Sequence, residues 1–222
     1  ISLYQMLAFP VPILLALVLH YTPILRLKKI TQSITYAPHF ISTVVLCGII
    51  TAFFSQSGII NQLGRILFGA QAVDYMSYPR YWRSLFVGSG IWQNTGYNAI
   101  IYIAALAGVS SELHEAAIMD GANRVQRIWH IDIPSIMPTI IILLIMQCGK
   151  VMNVGFQKAY LLQNDLNTSV SEVISTYVYK MGLNKGQYSL STAVGLFNNV
   201  INFTLVILVN KAANKLSGSG LW

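Results

Sequence analysis

Long apolar runs separated by short polar segments dominate the chain. Charge-free stretches cover residues 1–25, 30–64, 84–111, 133–149 and 186–210. A helix needs about 20 residues to cross the hydrocarbon core of a bilayer. Four stretches reach that length, and the 17 residues of 133–149 do so if Lys150 faces water or a partner. The pattern predicts an all-α, polytopic membrane protein with spans near 3–22, 35–55, 85–108, 135–156 and 191–212. A closed barrel is the other way to satisfy backbone groups in lipid, but runs such as TIIILLIM (139–146) lack the alternation its strands require. Residues 23–34 form a short basic connection, 56–84 a longer one rich in Gly, Asn and aromatics, and 157–190 the longest and most polar. No repeat interrupts what reads as one membrane domain over 1–222.

Composition agrees. The chain is 55% hydrophobic and only 9% charged, against about 25% charged in an ordinary soluble domain. Its formal net charge of +7 would suggest nucleic acid in a soluble protein. Here Lys and Arg are scattered singly without a dense patch, so anionic lipid headgroups are the expected partner and nucleic acid is not. Cys47 and Cys148 sit in apolar runs and read as packing residues. The start, ISLYQMLAFPVPILLALVLH, has no basic leader segment and reads as a span entered partway along a longer protein. Seven Lys and Arg fall on each side of the five predicted spans. Only the shorter loops of the side carrying 109–134 lean that side towards the cytoplasm.

One segment breaks the apolar pattern. ELHEAAIMDGANRVQRIWHIDIP, residues 112–134, holds four of the seven acidic residues. Ser110 or Ser111 is placed to cap a first helix, with Glu112 and Glu115 in the turn where the helix dipole favours negative charge. Gly121 suits the left-handed end of that helix. Asn123 is placed to cap a second, in which Val125, Ile128 and Trp129 form an apolar stripe. Pro134 is then expected to start the next span. A helix pair lying flat on the bilayer is one reading, but interfacial helices favour Lys and Arg over an acidic start. A docking knob for a soluble partner accounts better for the small Ala116 and Ala117, the bend and the charges.

The stretch EAAIMDGANRVQRIWHIDIPSIMP resembles the EAA motif of binding-protein-dependent ABC importer permeases, whose transmembrane domain is MetI-like. Glu115, Ala116, Ala117, Asp120, Gly121, Ala122, Ile131 and Pro134 match it, and Ile128 stands where relatives usually carry Phe. TGYNAIIYIAALAGVSSELHEAA, YAPHFIS, NVGFQKAYLL, STYVYKMGL and the terminal STAVGLFNNVINFTLVILVNKAANKLSGSGLW are similar to carbohydrate-importer permeases. They point to the polysaccharide-type branch that includes the LplB permeases. The resemblance implies a further span ahead of residue 1 and a multi-pass place in the bacterial cytoplasmic (inner) membrane. It also implies a complex of this chain with a second, homologous permease as a heterodimer, two ATP-binding subunits and an extracytoplasmic solute-binding protein. The motif loop would dock on the ATPase in the cytoplasm through Glu115, Ala116, Ala117, Asp120, Gly121, Ala122, Arg124, Arg127 and Trp129. ATP and Mg would belong to the partner subunits, and no GxxxxGK[ST] loop is present here.

Polar residues within the spans are costly in lipid and mark candidate substrate contacts. Trp92, Asn94, Tyr97, Asn98, Gln147, Lys150, Asn153, Asn198 and Asn202 form this set. Amides suit sugar hydroxyls and rings suit pyranose faces, although amides between helices also serve as packing glue. Lys150 favours acidic sugars such as uronates if it faces the path, or else snorkels to the headgroups. His20, His39, His114 and His130 are far apart and show no metal-ligand spacing, so no metal site is expected, and no Ser/His/Asp or Cys/His arrangement suggests catalysis. The expected function is therefore a non-enzymatic permease subunit for an oligosaccharide or polysaccharide fragment. A membrane-embedded glycan or lipid transferase would need paired carboxylates or a His cluster at a membrane edge. An ion-coupled secondary transporter would need a buried carboxylate on a span, and none of the five predicted spans carries one.

Overall fold

The computed structural model describes residues 1–218, 220 and 221, and these are helical and irregular, with no strand among them. Ser219 and Trp222, at the end of the terminal segment noted above, lie outside the described residues. In chain order the helices are α1 (Ser2–Leu7), α2 (Pro10–His20), α3 (Leu25–Tyr36), α4 (Thr43–Phe54), α5 (Ile59–Phe68) and α6 (Pro79–Ala107). There follow α7 (Ser111–Met119), α8 (Arg124–Arg127), α9 (Ile133–Cys148), α10 (Phe156–Leu162), α11 (Thr168–Ser171), α12 (Ile174–Tyr179) and α13 (Tyr188–Ser217). Among the described residues, four helical segments are long and apolar enough to cross a membrane: Ser2–His20, Thr43–Phe68, Arg124–Cys148 and Tyr188–Lys215. The 29 residues of α6 extend about 43 Å at 1.5 Å per residue, but carry more polar side chains. Most large apolar residues of α13 point outward, Leu196, Phe197 and Phe203 among them, as expected where lipid or another apolar surface is the solvent.

The chain divides into two compact units. The first comprises Ile1–Gln5, Phe40–Ile91 and Lys150–Asn202. Its core joins Leu46, Cys47 and Ile50 of α4 to Trp82, Phe86 and Val87 of α6 and to Ala159 and Leu162 of α10. Trp82 stacks on Phe86 with ring centroids 5.0 Å apart, and its indole N–H donates to the Leu162 carbonyl at 3.0 Å. Buried amides hold the irregular segments. Asn61 donates to the carbonyls of Ser55 and Val73 and accepts the Val73 N–H. Fully buried Asn167 donates to the carbonyls of Met76 and Leu162 and accepts from the Ser171 hydroxyl at 2.8 Å. Backbone groups that no helix satisfies thus find partners away from water. The polar stretch 157–190, read from sequence as a long connection, folds into α10, α11, α12 and a π-turn at Lys180–Asn184.

The second unit comprises Met6–His39, Trp92–Gly149 and Phe203–Trp222. Ala16 and Leu17 of α2 meet Ala99, Tyr102 and Leu106 of α6 and Ile136 of α9. Ala16 and Ala99 are completely covered, because small side chains let helices approach closely where hydrophobic driving force is weak. Gly96 makes the tightest case in this unit: a Cβ there would collide with the Thr35 carbonyl.

Helix boundaries differ from expectation at two places. Within 35–55 the helix resets: α3 ends at Tyr36, Ala37–Phe40 tighten into a 3₁₀ turn, and Ser42 caps α4 by accepting the Val45 N–H at 3.3 Å. Pro38 supplies the physical reason, since its ring cannot continue the hydrogen-bond ladder. Within 135–156 the helix stops at Cys148, and residues 149–155 form turns and irregular backbone. Lys150 therefore lies just past the helix rather than deep along it. Pro134 does not start a new helix either. The chain runs helically from Arg124 through a π-turn at Ile128–Asp132 into α9.

Candidate functional site

The glycine-broken segment folds as an elbow closed by local hydrogen bonds. The Ser110 hydroxyl accepts the Glu112 N–H at 3.2 Å, capping α7. At the far end the N–H groups of Asp120, Gly121 and Ala122 reach back to the carbonyls of Ala116, Ile118 and Ala117. Gly121 has φ +81°, a conformation that Cβ sterics disfavour in other residues. Asn123 then begins α8 with a reciprocal capping box. Its side-chain Oδ1 accepts the Gln126 N–H at 2.9 Å, and the Gln126 side chain accepts the Asn123 N–H at 2.7 Å. These bend-forming hydrogen bonds are all made within the elbow.

Among the expected coupling residues, Glu115, Ala116, Asp120, Gly121, Arg124 and Trp129 are exposed, and Ala117, Ala122 and Arg127 are half-buried. Met119 is 88% exposed, and Trp129 and Val125 are each 63% exposed. The apolar stripe Val125–Ile128–Trp129 is consequently split. Ile128 packs into the core of the second unit, while its neighbours face outward. The inside of the bend is a hollow of about 280 Å³ bordered by Ala117, Asp120, Gly121, Gln126, His130 and others.

The root of the elbow carries a cluster that sequence spacing did not reveal. Asp132 is fully buried. The Tyr21 hydroxyl donates to its Oδ2 at 2.6 Å, and His114 Nε2 lies 3.3 Å from its Oδ1. His20 approaches the Tyr21 ring edge-on with centroids 5.3 Å apart, and the Arg127 guanidinium sits 5.6 Å from that ring's centre. His20 and His114 are 94 positions apart, and only the fold joins them at the end of α2. The one available signal was Asp132 itself, a lone acid set between apolar residues. The π-turn places it inward. A buried carboxylate therefore lies on a helical segment long and apolar enough to cross a membrane, just ahead of the predicted span near 135–156.

The predicted sugar contacts fall in both units. In the second, Trp92 and Tyr97 of α6 are exposed, as are Asn98 and Gln147. Tyr97 stacks flat on His39 with centroids 3.8 Å apart, and His39 Nδ1 lies 3.2 Å from Asn94 Oδ1. His39, unassigned from sequence, thus occupies one face of the Tyr97 ring. In the first unit, Lys150 is exposed. Asn198 donates to Asn153 Oδ1 at 2.9 Å, and Asn202 accepts the Met152 N–H at 3.3 Å. Asn198 and Asn202, one turn apart on α13, both face the segment that follows α9. Asn198 Oδ1 and Asn202 Nδ2 are left buried without a hydrogen-bond partner.

Comparison with known proteins is consistent with these features. Residues 8–217 match the family model described as "Binding-protein-dependent transport system inner membrane component". The chain is 43% identical over its whole length to Protein LplB of Bacillus subtilis (strain 168), covering 70% of that protein. It is 40% identical over 96% of its length to the polygalacturonan/rhamnogalacturonan transport system permease protein YteP of the same organism, covering 67% of it. A crystal structure of a bacterial alginate ABC transporter in complex with an alginate pentasaccharide-bound periplasmic protein contains a chain that superposes with TM-score 0.94. That chain is 36% identical, with 99% of this chain and 76% of the other covered. The chain belongs to the family of binding-protein-dependent transport system inner membrane components: it is a multi-pass, non-catalytic permease subunit of an ABC importer of the bacterial inner membrane.

Proposed function

We propose that the chain forms half of a translocation path for an acidic oligosaccharide or polysaccharide fragment, delivered by an extracytoplasmic binding protein. The other half is a homologous second permease. On this reading the elbow presents Glu115, Ala116, Ala117 and Trp129 to one of two ATP-hydrolysing subunits in the cytoplasm. The observation that carries the substrate reading is the polar patch that Asn198 and Asn202 form on α13. There Asn198 Oδ1 and Asn202 Nδ2 are a buried acceptor and donor with no protein partner, and Asn153 joins them. An unpartnered buried amide atom is costly, and a sugar hydroxyl can serve as either donor or acceptor. Lys150 stands exposed three residues from Asn153, where a cation would meet a uronate carboxylate. The relatives' names and the alginate transporter support the same class of solute.

The reading is tested by transport in proteoliposomes holding the full complex, comparing acidic with neutral oligosaccharides. Lys150→Met should lower uptake of the acidic substrate about tenfold, the effect of about 1.4 kcal/mol, while sparing the neutral one. Equal loss for both would remove the acidic-sugar assignment.

A further inference from the structure

We propose that His20, His114 and Asp132 form a binding site for a divalent transition-metal ion of the zinc class at the root of the elbow. Each residue offers one ligand atom, and the three atoms all lie within 4.8 Å of one another. Two imidazoles and one carboxylate are a donor set suited to zinc and its neighbours, with a fourth position left for water. Zinc bonds of about 2.0–2.2 Å set tetrahedral ligands about 3.4 Å apart. His114 Nε2 and Asp132 Oδ1 already stand 3.3 Å apart. His20, half-buried at the end of α2, closes the remaining separation of at most about 1.4 Å by side-chain torsion, which staggered rotamer wells allow.

A second observation points to an ion. Asp132 is 0% exposed, yet its Oδ1 has no hydrogen-bond donor, and the buried Nε2 of His114, 3.3 Å from it, has no hydrogen-bond partner either. The two atoms are close but not aligned for a hydrogen bond. Two ligands flanking a common third point have that geometry. Tyr21 completes the arrangement from behind: its hydroxyl, 2.6 Å from Oδ2, orients the carboxylate as outer partners of metal ligands do. Arg127 near the Tyr21 ring and Lys28 near His20 oppose a dication. The site therefore fills and empties with free metal instead of holding it permanently. A bound ion ties the end of α2 to α7 and to the π-turn, stiffening the base on which the elbow moves.

The test uses the purified transport complex containing this chain, carrying a tag without histidine and stripped with chelator. Co²⁺ serves as a spectroscopic probe. The expected result is a tetrahedral Co²⁺ absorption, displaced by Zn²⁺ and absent from His20→Ala and His114→Ala. Tyr21→Phe should keep the band but weaken affinity about 10- to 100-fold. X-ray absorption on the Zn²⁺-loaded wild type, which needs no variant to fold, should show two imidazole ligands. If the histidine variants bind the probe as the wild type does, or the wild type shows no band or no imidazole coordination, the proposal is overturned. The cluster is then a structural contact between His114 and Asp132.

Discussion

Lys158 sits in the first unit on α10, outside the spanning segments. Its ammonium donates to the Phe86 carbonyl at 2.7 Å and lies 4.8 Å from the centre of the Phe86 ring. Burial disfavours the charged form and lowers its pKa to about 8, well below the ordinary lysine value of 10.5. The unfolded chain therefore binds this proton more tightly than the folded one between those values, and stability rises with pH across that window. Lys158→Met removes the cost. It should be more stable than the wild type by a constant margin below about pH 8. That margin should shrink towards zero as pH climbs to 10.5, as read by thermal unfolding of the detergent-solubilised protein at several pH values. A margin independent of pH would mean that packing, not charge, separates the two. None of this was visible in the sequence, where Lys158 was one of several cations in a polar connection. Burial by Phe86, 72 positions away, depends on the fold.

At the scale of elements, the elbow was legible almost in full because its determinants are local. Ser110, Gly121 and Asn123 act on backbone groups within a few positions, so spacing alone located the two caps and the turn. The interruption at Ala37–Phe40 and the end of α9 were missed for the opposite reason. Both lie in apolar sequence, and hydropathy cannot register a change of helix where both sides are equally greasy, although Pro38 and the pair Gly149 and Gly155 were the available punctuation. The His20–His114–Asp132 cluster was illegible because it joins three elements through tertiary contact. The elbow yields a sharp expectation. An L-residue at Gly121 must hold φ +81°, at a cost of about 1–2 kcal/mol. Nothing crowds the position itself, so the effect is conformational. Gly121→Ala should fold and insert normally, yet co-purify with less of the ATP-hydrolysing subunit. Unchanged co-purification would show that the turn geometry is irrelevant to docking.

For the whole molecule, the outward-facing apolar side chains and the sparse charges are those of a chain solvated by lipid, and four of its seven acidic residues lie in the single segment 112–134. Both native cysteines are buried, which makes the chain a clean background for topology mapping. Met119→Cys, at an elbow position 88% exposed, should react with a membrane-permeant maleimide in intact cells and resist an impermeant one until the membrane is opened. Labelling by the impermeant reagent from outside would place the projection on the wrong face for a cytoplasmic ATPase. The π-turn at Ile128–Asp132 adds a mechanical consequence. Because α8 passes through it into α9 without a break, the outer arm of the elbow and the membrane helix behind it are one shaft of 25 residues, about 38 Å long. If an ATP-hydrolysing subunit pushes on the elbow at Arg124, a helix continuous to Cys148 would carry the push as tilt, and the length of the stroke would follow from where that shaft pivots.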